Sequence, residues 1–185
     1  MILVVDMNFR RDSLGYCEFV LPIVYAVGGL DSVVVKHYPD LTTEDIEKSA
    51  SIILSGTPLK DNATLNEPDR FSWLRNCKKP VMGICAGMQT IGLAFGADLK
   101  KCLGIGMTKI ETLSPNPLFS STFSAYALHN YSLGAPKDFD ILAQSDRCVE
   151  AIKLRHRDIF GVLFHPEVRN PEIIHRFTHE FGSTE

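Results

Sequence analysis

One cysteine of this chain lies in a sequence setting that favours nucleophilic chemistry. Cys85 stands between Gly83 and Gly87, where a segment that predicts a strand gives way to one that predicts a helix. A sharp bend there exposes the thiol, and the glycines let neighbouring backbone approach without a Cβ clash. Unpaired N–H groups at a helix start stabilise a thiolate, and the N–H of Ala86 is directed at a carbonyl under attack. The pattern predicts a nucleophile, with a buried core cysteine as the alternative.

A thiol nucleophile needs a base, and the base needs an acceptor that orients it. Of the six histidines, His165 follows the apolar segment Ile159–Phe164, which predicts a strand. Catalytic groups of open parallel sheets collect at that end of a strand. In extended backbone, residues two apart project to the same side, so we expect Glu167 to face the imidazole. Taken alone, the segment His165-Pro166-Glu167 more often marks only the end of a strand and the start of a turn. The other candidate base is His129, which has no carboxylate near it in sequence.

Three segments together resemble the class I, or triad, glutamine amidotransferases. GICAGMQ at 83–89 resembles the nucleophile segment of that family, and GVLFHPE at 161–167 resembles its histidine–glutamate segment. SGTP at 55–58 occupies the place of the family's SGGP-type loop. The order and spacing of all three agree, and the resemblance covers essentially the whole chain.

The resemblance implies hydrolysis of L-glutamine to glutamate and ammonia through a γ-glutamyl thioester, with no metal or organic cofactor. It assigns roles to seven residues: Cys85 as nucleophile, His165 as base, Glu167 as the partner of the base, Thr57 and Ala86 as backbone N–H donors of an oxyanion hole, and Gly56 and Gln89 in substrate binding.

Within the family, segment Phe139–Val168 is similar to the stand-alone amidotransferase subunit of GMP synthase. This similarity implies a separate ATP pyrophosphatase-type synthetase subunit, which would hold ATP and Mg²⁺ and aminate xanthosine monophosphate. The chain departs from the subfamily at Thr57 (glycine there), Met88 (histidine), Leu163 (glutamine) and LHNY at 128–131 (Ser-His-x-Asp). A glutaminase of another synthetase, a stand-alone γ-glutamyl hydrolase and a non-catalytic amidotransferase-like module therefore stay open as alternatives.

The elements that must position these residues alternate between strand and helix in the first half of the chain. This alternation predicts a parallel sheet covered on both faces. Strands are predicted at Ile2–Asp6, Ser32–Tyr38, Ser51–Ser55 and Pro80–Cys85, and helices at Tyr16–Val27, Thr43–Lys48, Glu67–Cys77 and Gly87–Phe95.

From residue 105 the pattern changes to strand-like segments with little helix between them. They predict a mixed or antiparallel extension of the sheet, closed by a helix at Pro171–Phe181. We therefore expect an α/β fold over a single domain, 1–185, and the resemblance implies the flavodoxin-like amidotransferase architecture. The segments are Ile105–Leu113, Ala125–Leu128, Ile141–Gln144, Val149–Leu154 and Ile159–Phe164.

Composition excludes several classes of partner. The net charge of −3 and the pI near 6.1 do not indicate the excess of positive charge with which proteins bind nucleic acid or an anionic membrane. The longest apolar stretch, Phe19–Leu30, is shorter than the roughly 20 residues that span a bilayer, and no secretory signal is recognisable. Five cysteines without a CxxC pair argue against a disulfide framework or a structural zinc site, so a cytoplasmic location is expected.

The segment Gly28–Ser32 resembles the SGGxDS loop with which ATP pyrophosphatases bind pyrophosphate. Such a loop follows a strand and opens a helix. Here it follows a predicted helix and leads into a predicted strand. We therefore do not expect nucleotide binding at this segment.

Overall fold

The described residues of the computed structural model, 1–28, 33–134 and 137–182, are organised around a nine-stranded mixed sheet. The strands are β1 (Ile2–Asp6), β2 (Val33–His37), β3 (Ser51–Leu54), β4 (Val81–Ile84), β5 (Leu99–Thr112), β6 (Phe123–Leu133), β7 (Phe139–Gln144), β8 (Val149–Leu154) and β9 (Ile159–Val162). The α-helices are α1 (Leu21–Val27), α2 (Thr43–Lys48), α3 (Ala63–Asn66), α4 (Ala86–Ala94), α5 (Pro166–Arg169) and α6 (Pro171–Phe181).

The sheet has a parallel half and an antiparallel half, in the order β2-β1-β3-β4-β9-β8-β7-β5-β6. The pairs from β2 to β9 are parallel, and those from β9 to β6 are antiparallel. Strands β1, β3, β4 and β9 are buried along their whole length, as expected of parallel strands covered on both faces. The predicted α/β fold with an antiparallel extension is confirmed.

Alternate residues of each central strand enter two different apolar layers. In β1, Ile2 and Val4 pack with residues of α1 and α6, whereas Leu3 and Val5 pack with α4 and the 3₁₀ segment Pro68–Arg75. This division follows from the period of two along a strand. The parallel half is thereby fixed from both sides, and its carboxyl edge carries the residues singled out by the sequence.

Two helix predictions need correction in their geometry. The segment predicted as one helix over Tyr16–Val27 begins with a π-helical turn at Tyr16–Val20, and α1 follows with Pro22 in its first turn. The Glu67–Cys77 prediction corresponds to a 3₁₀ segment, Pro68–Arg75, instead of an α-helix. Proline at the start of each helical segment removes an N–H that has no intrahelical partner anyway.

Two sequence predictions extend beyond the described residues. The strand predicted from Ser32 begins at Val33 in the structure, and Ser32 itself lies outside the described part. Residues 29–32 of the segment that resembles a pyrophosphate loop lie outside it as well, so that prediction stays untested. Within the described ranges, no helix has the length and apolar character needed to cross a membrane.

Candidate active site

Cys85 lies at the bend between β4 and α4. Its φ of 48° and ψ of −102° are a conformation that side-chain-bearing residues rarely adopt. The bend is held by two hydrogen bonds, from the Cys85 N–H to Val162 O (2.8 Å) and from the Gln89 N–H to Cys85 O (3.0 Å). The thiol is 4% exposed and donates to the carbonyl of Leu128 on β6, at 3.4 Å.

The two glycines beside the nucleophile are required by close backbone approach. A Cβ atom at Gly83 would lie 2.5 Å from the carbonyl carbon of Gly87, and one at Gly87 would lie 2.5 Å from Leu54 O. Real Cβ atoms do not approach backbone so closely, so α4 can start directly behind β4 only with glycine at both positions. The glycines of GICAG therefore serve the packing that produces the bend.

His165 and Glu167 form a buried pair beside this bend. The Nδ1 atom of His165 donates to Glu167 Oε1 at 2.7 Å, and both side chains are fully buried. The prediction that extended backbone would bring them together is wrong, because α5 begins at Pro166 and Glu167 lies in its first turn. The carboxylate reaches back to the imidazole from the start of a helix.

The imidazole of His165 is held on several sides. The Phe19 ring, carried by the π-helical turn before α1, lies 5.3 Å from it between centroids. The backbone N–H of His165 donates to Tyr126 O at 2.8 Å. Gly56 lies against the ring, since a Cβ atom there would be 2.7 Å from His165 Cε1. The ring is therefore packed between Phe19 and Gly56, and the backbone that carries it is anchored to β6.

Electrostatics at this pair favour the imidazolium. Burial alone lowers the pKa of His165, but the Glu167 carboxylate and the Cys85 side chain raise it, and the result lies well above the ordinary value. With Nδ1 held by Glu167, Nε2 is the atom available for proton exchange. This Nε2 atom is buried and has no hydrogen-bond partner among the described residues. Cys85, His165 and Glu167 can therefore act as nucleophile, acid–base group and orienting carboxylate.

The cleft over Cys85 is closed in this structure. Its free volume is about 10 Å³, whereas sites for small molecules usually enclose some 300–1,000 Å³. Two side-chain amides hold it shut, because Asn130 Nδ2 donates to Leu59 O and Gln89 Nε2 donates to Tyr131 O, each at 2.7 Å. The cleft as it stands is therefore too small to hold glutamine beside the thiol.

The other residues predicted in the site have structural contacts here. Thr57 is buried, and its hydroxyl donates to Asp61 O at 2.9 Å, which tightens the loop that carries the predicted oxyanion N–H. Ala86 is the first residue of α4, where N–H groups have no intrahelical acceptor. The contact of Gln89 is with β6 and that of Gly56 is with His165, so their roles in substrate binding stay predictions.

Two departures from the subfamily pattern belong to the core. Met88 and Leu163 are both fully buried, in the same apolar cluster, and neither is among the described residues that line the cleft. A Cβ atom at Gly161 would lie 2.7 Å from Met88 Cγ, so this methionine fills the space between α4 and β9. These two positions therefore affect packing behind the site.

Strand β6 supplies contacts that the sequence did not reveal. The carbonyls of Tyr126, Leu128 and Tyr131 and the side chain of Asn130 all face the site. Three of these contacts use backbone atoms, which carry no residue-type signal. The sequence pointed to this strand through the predicted segment Ala125–Leu128, through His129 as an alternative base and through the position of LHNY near a family segment, but not through these contacts.

Comparison with known proteins places the chain in a family. The model of the family described as glutamine amidotransferase class-I matches residues 17–181. This chain belongs to the class-I glutamine amidotransferases. As an amidotransferase it is similar to the glutamine-hydrolysing subunit of GMP synthase from Methanocaldococcus jannaschii, at 36% identity over 154 residues, which cover 78% of this chain and 79% of that protein. The corresponding protein of Methanococcus maripaludis strain S2 is 38% identical over 151 residues, 76% of this chain and 78% of its own.

Solved structures agree on the amidotransferase fold. A crystal structure assigned to the corresponding GMP synthase subunit of Thermoplasma acidophilum superposes with a TM-score of 0.81 at 23% identity, over 96% of this chain and 92% of that one. A glutamine amidotransferase of Thermotoga maritima gives a TM-score of 0.68 at 17% identity, over 97% and 81% of the two chains. At these identities the likeness concerns the fold alone.

The contact between Gly56 and His165 predicts a sensitive position. Gly56→Ala should displace the imidazole and lower glutamine hydrolysis by about 100-fold, since a shift of about 1 Å in a catalytic group has that effect. Gly134→Ala is the matched control, because the nearest atom to its new Cβ is the flexible Lys100 Cε at 3.2 Å. Equal activity of the two variants, with similar thermal midpoints, would contradict the positioning role of Gly56.

The buried carboxylate predicts a shift in pH dependence. Glu167 stabilises the protonated form of His165, so Glu167→Gln should lower the pKa of His165. Because protonated His165 is needed to release ammonia, the alkaline limb of kcat/KM should move to lower pH, and kcat should fall by as much as about 10⁴-fold. Glu172→Gln, at an exposed carboxylate of α6, is the control. An alkaline limb that stays in place or moves upward would exclude this role.

Proposed function

We propose that this chain hydrolyses L-glutamine and passes the ammonia to a separate ATP-dependent synthetase that converts xanthosine monophosphate to GMP. The glutaminase part is carried by one observation: the Cys85 thiol, at a strand–helix bend, lies beside a buried imidazole that a carboxylate orients. The GMP part is supported by relatives that are named as the glutamine-hydrolysing subunit of GMP synthase and align with three quarters or more of this chain.

In the first half-reaction, the Cys85 thiolate attacks the side-chain amide carbon of glutamine. The negative charge that develops on the amide oxygen is stabilised by the backbone N–H groups of Ala86 and Thr57. The C–N bond then breaks, and His165 gives its Nε2 proton to the departing amine, which leaves as ammonia. Glu167 holds the ring with Nε2 towards the sulfur during this transfer.

In the second half-reaction, a water molecule attacks the γ-glutamyl thioester. His165, now neutral, accepts a proton from this water, and the thioester breaks to give glutamate and the Cys85 thiolate. The proton returned to His165 restores the starting state. This sequence requires no metal or organic cofactor on the chain, and ATP and Mg²⁺ are assigned to the synthetase subunit.

The synthetase subunit is proposed to dock on the outer face of β5. Leu103, Ile105 and Met107 project from that strand and are each more than half exposed. In the register of the β5–β6 pair, Ile105 lies opposite Leu128, whose carbonyl accepts from the Cys85 thiol. A partner bound to this stripe would therefore lie one strand away from the backbone that contacts the Cys85 thiol.

Reconstitution with the ATP pyrophosphatase subunit of the same organism tests the proposed reaction. With glutamine, ATP and xanthosine monophosphate, the two chains together should release glutamate and form GMP. Cys85→Ala should lower the glutamine-dependent rate at least about 1,000-fold, since the nucleophile acts in every turnover. Ammonia-dependent GMP formation by the synthetase should be unaffected by this variant. If ammonia supports GMP formation and glutamine with the wild-type chain does not, the assignment to GMP synthesis is wrong.

The docking stripe gives a separate prediction. Ile105→Asp should weaken binding of the synthetase subunit about 30-fold, because a buried central contact contributes about 2 kcal/mol or more. Glutamine hydrolysis by the isolated chain, measured in parallel, should be the same as in the wild type. Tyr25→Asp, at an exposed residue of α1, is the matched control. Titration calorimetry measures both, and equal affinities for the two variants would place the interface elsewhere.

A further inference from the structure

A cluster of potential metal ligands includes His129 of β6, the strand that closes the cleft. One imidazole nitrogen of His129, the thiol of Cys148 and one carboxylate oxygen of Glu150 lie within 4.8 Å of one another. His129 lies on β6, Glu150 on β8, and Cys148 immediately before β8. No metal site was expected from the sequence, because these positions form no ligand motif along the chain. They come together because β6, which is not paired with β8, nevertheless packs close to it.

The Glu150 carboxylate is incompletely satisfied inside the protein. The residue is 1% exposed, and its Oε2 atom is buried without a hydrogen-bond partner among the described residues. Its other oxygen, Oε1, accepts from the Cys148 thiol at 3.7 Å. A buried carboxylate oxygen without a hydrogen-bond partner destabilises the folded state, so such an atom calls for an explanation, for example a bound ion. A cation at this position would provide the missing partner.

The orientation of His129 suits a ligand. Its Nδ1 atom donates to the carbonyl of Cys102 at 2.8 Å, which leaves the lone pair on Nε2. Metal-binding histidines are usually fixed in this way by an acceptor on the other ring nitrogen. The carbonyl comes from an irregular stretch of β5, where the register with β6 shifts between Lys101 and Gly104. A Cβ atom at Gly104 would lie 2.4 Å from His129 Nε2, so the ring lies directly over this glycine.

Binding of a dication at this cluster would be coupled to the loss of protons from its ligands. Metal ions bind the deprotonated carboxylate and thiolate, so a dication would displace the protons of Glu150 and Cys148. The nearby guanidinium of Arg147 is engaged with Leu103 O at 3.1 Å.

We propose that His129, Cys148 and Glu150 bind a zinc-class transition-metal dication. Imidazole, thiolate and carboxylate together suit Zn²⁺ or Co²⁺, whereas Mg²⁺ and Ca²⁺ prefer oxygen ligands alone. The Cys102 side chain lies next to Cys148 but is not one of the three clustered ligands. The bound ion would tie β6 to β8 next to Leu128 and so influence the strand that closes the cleft. This inference is independent of the glutaminase proposal.

Cobalt titration under reducing conditions tests the site directly. The full chain, freed of metal with a chelator, should bind one equivalent of Co²⁺ with thiolate-to-cobalt charge-transfer absorption, and Zn²⁺ should displace the cobalt. Cys148→Ser should abolish the charge-transfer band, and Glu150→Gln, which keeps the shape of the side chain, should weaken binding by about 100-fold. Even residues outside the coordination sphere change metal affinity 10–100-fold.

Two control variants separate this cluster from other thiols. Cys85→Ala and Cys17→Ser should both retain the band and the stoichiometry, which excludes binding at the nucleophile or at the exposed Cys17. Loss of the band in Cys85→Ala, or its persistence in Cys148→Ser, would overturn the proposal. Absence of stoichiometric binding by the wild-type chain, including an outcome in which Cys102 and Cys148 are found joined as a disulfide, would overturn it as well.

Discussion

The chemistry of this chain depends on a strained backbone bend at one residue. Cys85 adopts a positive φ, a conformation that costs on the order of 1–3 kcal/mol and persists only where the surroundings enforce it. Here they do, because Gly83 and Gly87 let β4, α4 and β3 approach at backbone distance. The two apolar layers that cover the parallel strands keep these elements in place. The core thus holds the thiol at the carboxyl edge of the sheet.

The antiparallel half of the sheet connects the nucleophile to the outer surface of the molecule. Strand β6 contacts the site through Tyr126, Leu128 and Asn130, and it pairs with β5, whose outer face is apolar. The same strand carries His129, which faces the cluster with Cys148 and Glu150. Strand β6 therefore lies between Cys85 and the two places at which a partner and a cation are proposed to bind.

Local sequence patterns predicted the parallel half of the fold well and the antiparallel half less well. Buried strands such as Ile2–Asp6 and the elbow around Cys85 are encoded by adjacent residues, so their prediction needs no tertiary information. The helix at Pro166–Arg169 was missed, because a short helix that starts at proline resembles a turn. The contacts of β6 and the His129–Cys148–Glu150 cluster depend on packing between segments that are distant in sequence, which no local pattern encodes.

The most direct test of the account is covalent labelling by a diazoketone analogue of glutamine, in the presence of the synthetase subunit. Peptide mass spectrometry should find one thioether adduct, formed with loss of dinitrogen, on Cys85, and L-glutamine should protect against it. Cys17, Cys77, Cys102 and Cys148 should remain unmodified, because Cys85 lies beside an imidazole that a carboxylate orients, whereas the imidazole near Cys148 donates to a backbone carbonyl. An adduct on another cysteine, or none on Cys85 with the partner bound, would contradict the claim that this bend carries the nucleophile.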